Sequence, residues 1–250
     1  MAHGLERIDW TAPWLRPWRL HGELVALRVA QGQSVCDALN AESRAEVPVR
    51  FVPADALPAG WGYERFIAER CLCPTREGPH DFFNGLAWLH FPRTKARLNA
   101  LHGVQIAPPA AQGVRGSARD ALTLFDENAA LLRAPDALWQ ALVRKDWVQV
   151  FGVLRPLWEQ SELTLFGHAL VEKLMDPRKA MTAHVYRVHP ACPGMPSLDA
   201  WLATNLDANS LAKKPFAHLP VLGVPGWWAA NECADFYADP DVFRKPRSLA

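Results

Sequence analysis

The stretch "RDALTLFDENAALL", residues 119–132, decides how the chain is read. Residues 121–125 and 129–134 are apolar runs separated by Asp126, Glu127 and Asn128. A strand, a short acidic-amide turn and a second strand make a β-hairpin, although Asn-Gly would mark the turn more strongly than the Asn-Ala present. This reading has a chemical consequence. Adjacent residues on a strand point to opposite faces. Asp126 and Glu127 would then not act as a pair, and each is judged by the groups brought alongside it.

Outward from this stretch, "VPVRFVP" (47–53), "ELTLFG" (162–167) and "TAHVYRVH" (182–189) alternate or are bracketed by turn residues and read as strands. "SVCDALNAESR" reads as a helix with Ser34 as N-cap, and residues 60–71 as an amphipathic helix. "DFFNGLAWLHFP" (81–92) begins as a helix capped by Asp81 and is interrupted by Pro92. A further helix runs over 93–104, with Thr94 as cap and Gly103 as stop. Residues 135–154, 168–176 and 197–206 complete the helices. Residues 1–20 form a Trp/Pro-rich arm, 105–117 a Pro/Gly loop, and 215–250 a loop-rich segment packed on the body. Strands and helices without regular βα alternation predict an α+β fold. We expect a single domain over 1–250, with a small mixed or antiparallel sheet, several packed helices and long Pro/Gly/Trp-rich loops.

The 250 residues are 50% hydrophobic and 21% charged, an ordinary globular composition that can bury a core without disulfides. A net charge of +1 gives no argument for nucleic acid, although a basic stripe through Arg93, Lys95 and Arg97 would revive one. Five cysteines, with a C-x-C at Cys71 and Cys73, complete no zinc or redox set. The N-terminus lacks a signal-peptide core and no apolar run approaches membrane-spanning length, which predicts a cytoplasmic protein with no membrane partner. Phosphate-cradling loops, dinucleotide-binding glycines and a G-x-S-x-G elbow are absent, so no nucleotide cofactor is expected.

Four places carry candidate chemistry. His168 and Glu172 are four apart on a helix and share a face; they could bond each other, or serve as base or ligand. Asp126 or Glu127 could join them. Lys95, Asn99 and His102 form one polar stripe that is either solvated or the lining of a cleft, with Arg115, Arg119 and Asp120 following as an anion clamp or Arg–Asp brace. His184 and His189 lie on opposite faces of their strand. The catalytic candidates are therefore His168, Glu172, Asp126 and His102, and the metal candidates His102, His168 and His184. Asn84, Lys95, Asn99, Arg115 and Trp227 are the candidate substrate contacts.

"PTREGPHDFFNGLAWLHFPRTKARLNALH", "RDALTLFDEN", "FGHALVEKLMDP", "TAHV" and "LPVLGVPGWWAANE", in this order, resemble an uncharacterised bacterial family, domain of unknown function 3025. The resemblance runs over about residues 10–245. It implies no mechanism. The residues alone favour an enzyme with a His/carboxylate cleft performing acid/base or metal-assisted hydrolysis; they fix no cofactor, and a divalent metal could serve. The alternative is a non-catalytic module that uses Trp14, Trp18, Trp227 and Trp228 as a groove for a peptide or small ligand. Neither reading fixes an oligomeric state.

Overall fold

Residues 119–132 do not form a hairpin. In the computed structural model, which describes residues 4–105, 112–194 and 197–244, the apolar run 121–125 is the end of a long helix that passes directly into a strand. Ala118, Ala121, Leu122 and Phe125 are buried, at spacings of three, four and seven. That is the period of one helix face. The alternation read as a strand is the same set of residues seen over too short a window.

In chain order the first elements are α1 (Arg19–Ala30), α2 (Val35–Glu42), β1 (Arg50–Pro53), α3 (Tyr63–Arg70) and β2 (Leu72–Thr75). Then come α4 (Pro79–His90), α5 (Pro92–Gln105), α6 (Gln112–Asn128), β3 (Ala129–Arg133) and α7 (Asp136–Val143). The chain continues with β4 (Glu162–Leu165), α8 (His168–Lys173), β5 (Thr182–Arg187), α9 (Leu198–Asn205), α10 (Ala208–Ala212) and β6 (Phe216–Pro220). The fold is α+β. β1 and β2 pair in parallel as a two-stranded sheet, and a mixed four-stranded sheet has the order β4-β3-β5-β6. In it β3 runs parallel to β5 and antiparallel to β4, and β6 is antiparallel to β5.

Several local expectations hold. Ser34 caps α2 through its hydroxyl, which accepts from Asp37 N at 3.2 Å. Others are corrected by tertiary partners. Thr94 lies inside α5, and the cap comes from α9 instead: Asp199 accepts from Arg93 N at 3.1 Å and from Thr94 N and Oγ1 at 2.8 Å. Gly103 does not stop α5. Asp81 lies in the first turn of α4 and Gly78 is its N-cap. Helices α1 and α10 fall outside the expected elements, and strand β6 lies in the segment expected to be loop-rich. Expected helix 135–154 is broken after Val143 and ends in a π-turn, Gln149–Val153.

One close approach holds the second sheet to the helices. A Cβ on Gly167 would lie 2.4 Å from Asn128 N and 2.5 Å from Asn128 Cα and Glu127 C. Only a residue without a side chain lets the β4–α8 junction lie flat on the α6–β3 junction. Gly167 N and Phe166 N both donate to Ala129 O there, at 2.8 and 2.9 Å. Gly167→Ala should therefore cost about 3 kcal/mol, at the upper end of core overpacking. Urea denaturation measures it; a loss under about 0.5 kcal/mol, the usual size of a neutral change, would contradict this packing.

Candidate functional site

Five elements converge on one cavity of about 400 Å³. Helix α3 contributes Tyr63 and Glu64, the exit from β2 contributes Pro74 and Arg76, and α4 contributes His80, Asp81 and Asn84. The C-terminal turn of α6 brings Asp126 and Glu127, and the first residue of α8 brings His168. The helical state of α6 changes what the two acids can do. Neighbours on a helix are about 100° apart rather than opposed, so both reach one imidazole. His168 Nδ1 lies 3.8 Å from Asp126 Oδ2, and His168 Nε2 lies 3.6 Å from Glu127 Oε2.

Behind His168 stands a buried ion pair. Lys95, on α5, donates from Nζ to Asp126 Oδ1 at 2.6 Å, to Asp126 Oδ2 at 2.8 Å and to Asn84 Oδ1 at 2.9 Å. All three ammonium donors are thereby used. Burial pushes the Asp126 carboxyl up, but the Lys95 charge and hydrogen bonds, with His168, outweigh it and hold the group below the usual carboxylate range. Glu127 moves the other way: burial and the adjacent Asp126 charge raise it. His168 is pushed down to about 4, chiefly by burial. Its ring is neutral at pH 7, as a ligand or base requires.

His80 is one of the residues the sequence reading missed, with Tyr63, Glu64 and Arg76. Its Nδ1 lies 2.8 Å from Glu172 Oε2, and its ring meets that of His168 edge-on with centroids 4.8 Å apart. Glu172 thus serves a histidine on α4 rather than His168, its neighbour one turn back. The signal was present: His80 and Asn84 are four apart and share a helix face, the same spacing that singled out His168 and Glu172. His80, Glu127 and His168 each offer a ligand atom within 4.8 Å of the others, and among the described residues this is the set that could hold a metal ion.

The other candidates fall into three groups. Lys95, Asn99 and His102 are buried together, so their stripe faces inward. Asn99 Nδ2 donates to Glu64 Oε2 at 2.5 Å and to Glu64 O at 2.9 Å. Burial keeps His102 below the usual imidazole range. The metal set His102, His168 and His184 does not assemble. His184 lies on β5, where its Nδ1 is 2.7 Å from Asn128 Nδ2 and its ring packs on His218. Arg119 and Asp120 are exposed on α6, and the Arg115 side chain lies outside the described residues. Trp227 lines a different cavity of about 820 Å³ with Pro13, Arg16 and Arg155. Trp14 and Trp18 are buried and only Trp227 and Trp228 reach the surface, so the four indoles do not form a groove. Nor does the basic stripe exist: Lys95 is internal, and Arg97 Nε donates to Leu206 O at 3.0 Å.

Removing one partner of the Lys95–Asp126 pair leaves a buried charge uncompensated. Lys95→Met should destabilise the chain by about 3–5 kcal/mol, and adding Asp126→Asn should recover a large part of it. Additive losses in a double-mutant denaturation cycle would show that the two groups are not coupled.

No curated protein and no solved structure matches this chain. Among the described residues no helix is long and apolar enough to cross a membrane. Residues 49–247 match a family model, and the match takes in every residue of the cavity described above. On that match the chain belongs to the family described as Protein of unknown function (DUF3025).

Proposed function

We propose that the α4/α6/α8 cavity is the active site of a metal-dependent hydrolase, with a divalent cation held by His80, Glu127 and His168. The observation that carries this reading is the mutual approach of the three ligand atoms, all within 4.8 Å. Metal–ligand bonds are about 2.0–2.2 Å for imidazole and carboxylate, so small rotamer changes close the set on an ion. Two histidines and one carboxylate leave a coordination position for water. Zinc lowers the pKa of such a water to about 7, which supplies hydroxide at neutral pH.

The groups around the set suit the role. Each imidazole has a carboxylate at its Nδ1 side: Glu172 on His80 and Asp126 near His168. A hydrogen-bonded carboxylate fixes ring orientation and raises ligand basicity, as Glu172 does for His80; Asp126, at 3.8 Å from His168 Nδ1, supplies charge without a hydrogen bond. Both Nε2 atoms are then left for the metal. Tyr63 lines the cavity, and burial raises its pKa well above the usual phenol value, so it stays an O–H donor able to stabilise an oxyanion. Cys73, beside it at 3.3 Å, is pushed up to about 11 by burial and is no thiolate nucleophile at neutral pH.

Elemental analysis of untagged protein and calorimetric titration with zinc test the reading. One ion per chain is expected. Glu172→Gln should weaken binding about 10–100-fold, as loss of an outer-shell partner does, and His80→Ala or His168→Ala should weaken it further. Equal affinity in wild type and both alanine variants would sink the proposal.

A further inference from the structure

The walls of the cavity are unequal in charge. Four carboxylates line it, Glu64, Asp81, Asp126 and Glu127, against one cation, Arg76. Three of the four have an answer. Arg76 turns its fork onto Asp81, with Nε to Oδ2 at 3.0 Å and Nη2 to Oδ1 at 2.9 Å. Lys95 answers Asp126 from behind the wall. A divalent ion on the His80 set would answer Glu127. Glu64 is left. Its carboxylate is held by the Asn99 amide, which fixes its position and brings no charge. Nearby His102, kept below the usual imidazole range by burial, adds no fixed cation.

We infer that Glu64 is a specificity residue that pairs with an ammonium or amidinium group on the substrate. The bond to be cleaved would then sit at the His80, Glu127 and His168 end, and the cationic group at the α3 wall. Leu57 and Pro74 give the cavity an apolar side for the link between the two. A phosphate ester is disfavoured, because it meets an unmatched carboxylate and a cation already engaged by Asp81. This inference rests on the hydrolase reading for the reacting end and for the ion that would answer Glu127; the Glu64 contact belongs to the α3 wall and is read by the Glu64→Gln change.

The test is calorimetric titration of the full chain, zinc-free and zinc-loaded, with benzylamine, benzyl alcohol and phenyl phosphate. In the zinc-free protein benzylamine should bind more tightly than phenyl phosphate. Glu64→Gln should lower the benzylamine-to-phenyl phosphate affinity ratio about tenfold, the value of one charge-assisted contact, and leave benzyl alcohol unchanged. Glu64→Asp, which keeps the charge, should keep most of the preference and controls for folding. Tighter binding of phenyl phosphate to the zinc-free wild type, or a ratio that Glu64→Gln does not move, would overturn the assignment. Failure of zinc to bind would instead remove the hydrolase reading, and the charge preference would still be measured on the zinc-free protein.

Discussion

The ammonium of Lys95, sealed between α4, α5 and α6, is the group on which the site depends. It is 5% exposed, and its partners, Asn84 and Asp126, lie on two other helices. Such a pair repays its desolvation only when every donor is met, and here every donor is. The consequence is registry. α5 cannot slide against α4 or α6 without stranding a charge, so the C-terminal turn of α6 is fixed where Asp126 and Glu127 flank His168. Gly167 fixes the same junction from the other side, since its missing side chain lets the first turn of α8 touch the backbone of Glu127 and Asn128.

From that registry the rest of the site follows. α8 presents His168 to α6 and Glu172 to α4, and α4 returns His80 to the same point. Two imidazoles at ring contact, each backed by a carboxylate and one adjoining a third, form an arrangement that burial keeps unprotonated on the His168 side. Acid, base and cation are all supplied by helix ends. The sheets act as rails beneath them: β2 delivers the chain to Arg76 and α4, and β3 and β4 meet at the α6 and α8 junctions.

Much of this was legible in the sequence, and the failures have physical causes. The α+β class and the α2 cap at Ser34 followed from period and spacing; spacing also put Lys95, Asn99 and His102 on one stripe, but only burial shows that it faces inward. α6 did not, because Pro/Gly-rich residues before it and a strand directly after it hid all but its last turns, where a helical face and a strand look alike. That single error mattered, since it separated Asp126 from Glu127, which the helix brings to one ring. His80 was missed because Asp81 beside it looked like a cap. His184 was included because nothing in one sequence reports that its strand turns the ring toward Asn128 and His218. The Trp groove failed for a simpler reason: Trp14 and Trp18 are core.

The central claim is that two imidazoles and one carboxylate from three helices close on one ion. X-ray absorption at the zinc edge of the loaded, untagged protein addresses it most directly. The account predicts two imidazole nitrogens and one carboxylate oxygen at about 2.0–2.2 Å, with one further light atom from water. Imidazole scattering should fall by half in His80→Ala. A shell of oxygens without imidazole scattering, or a spectrum that His80→Ala leaves unchanged, would contradict it.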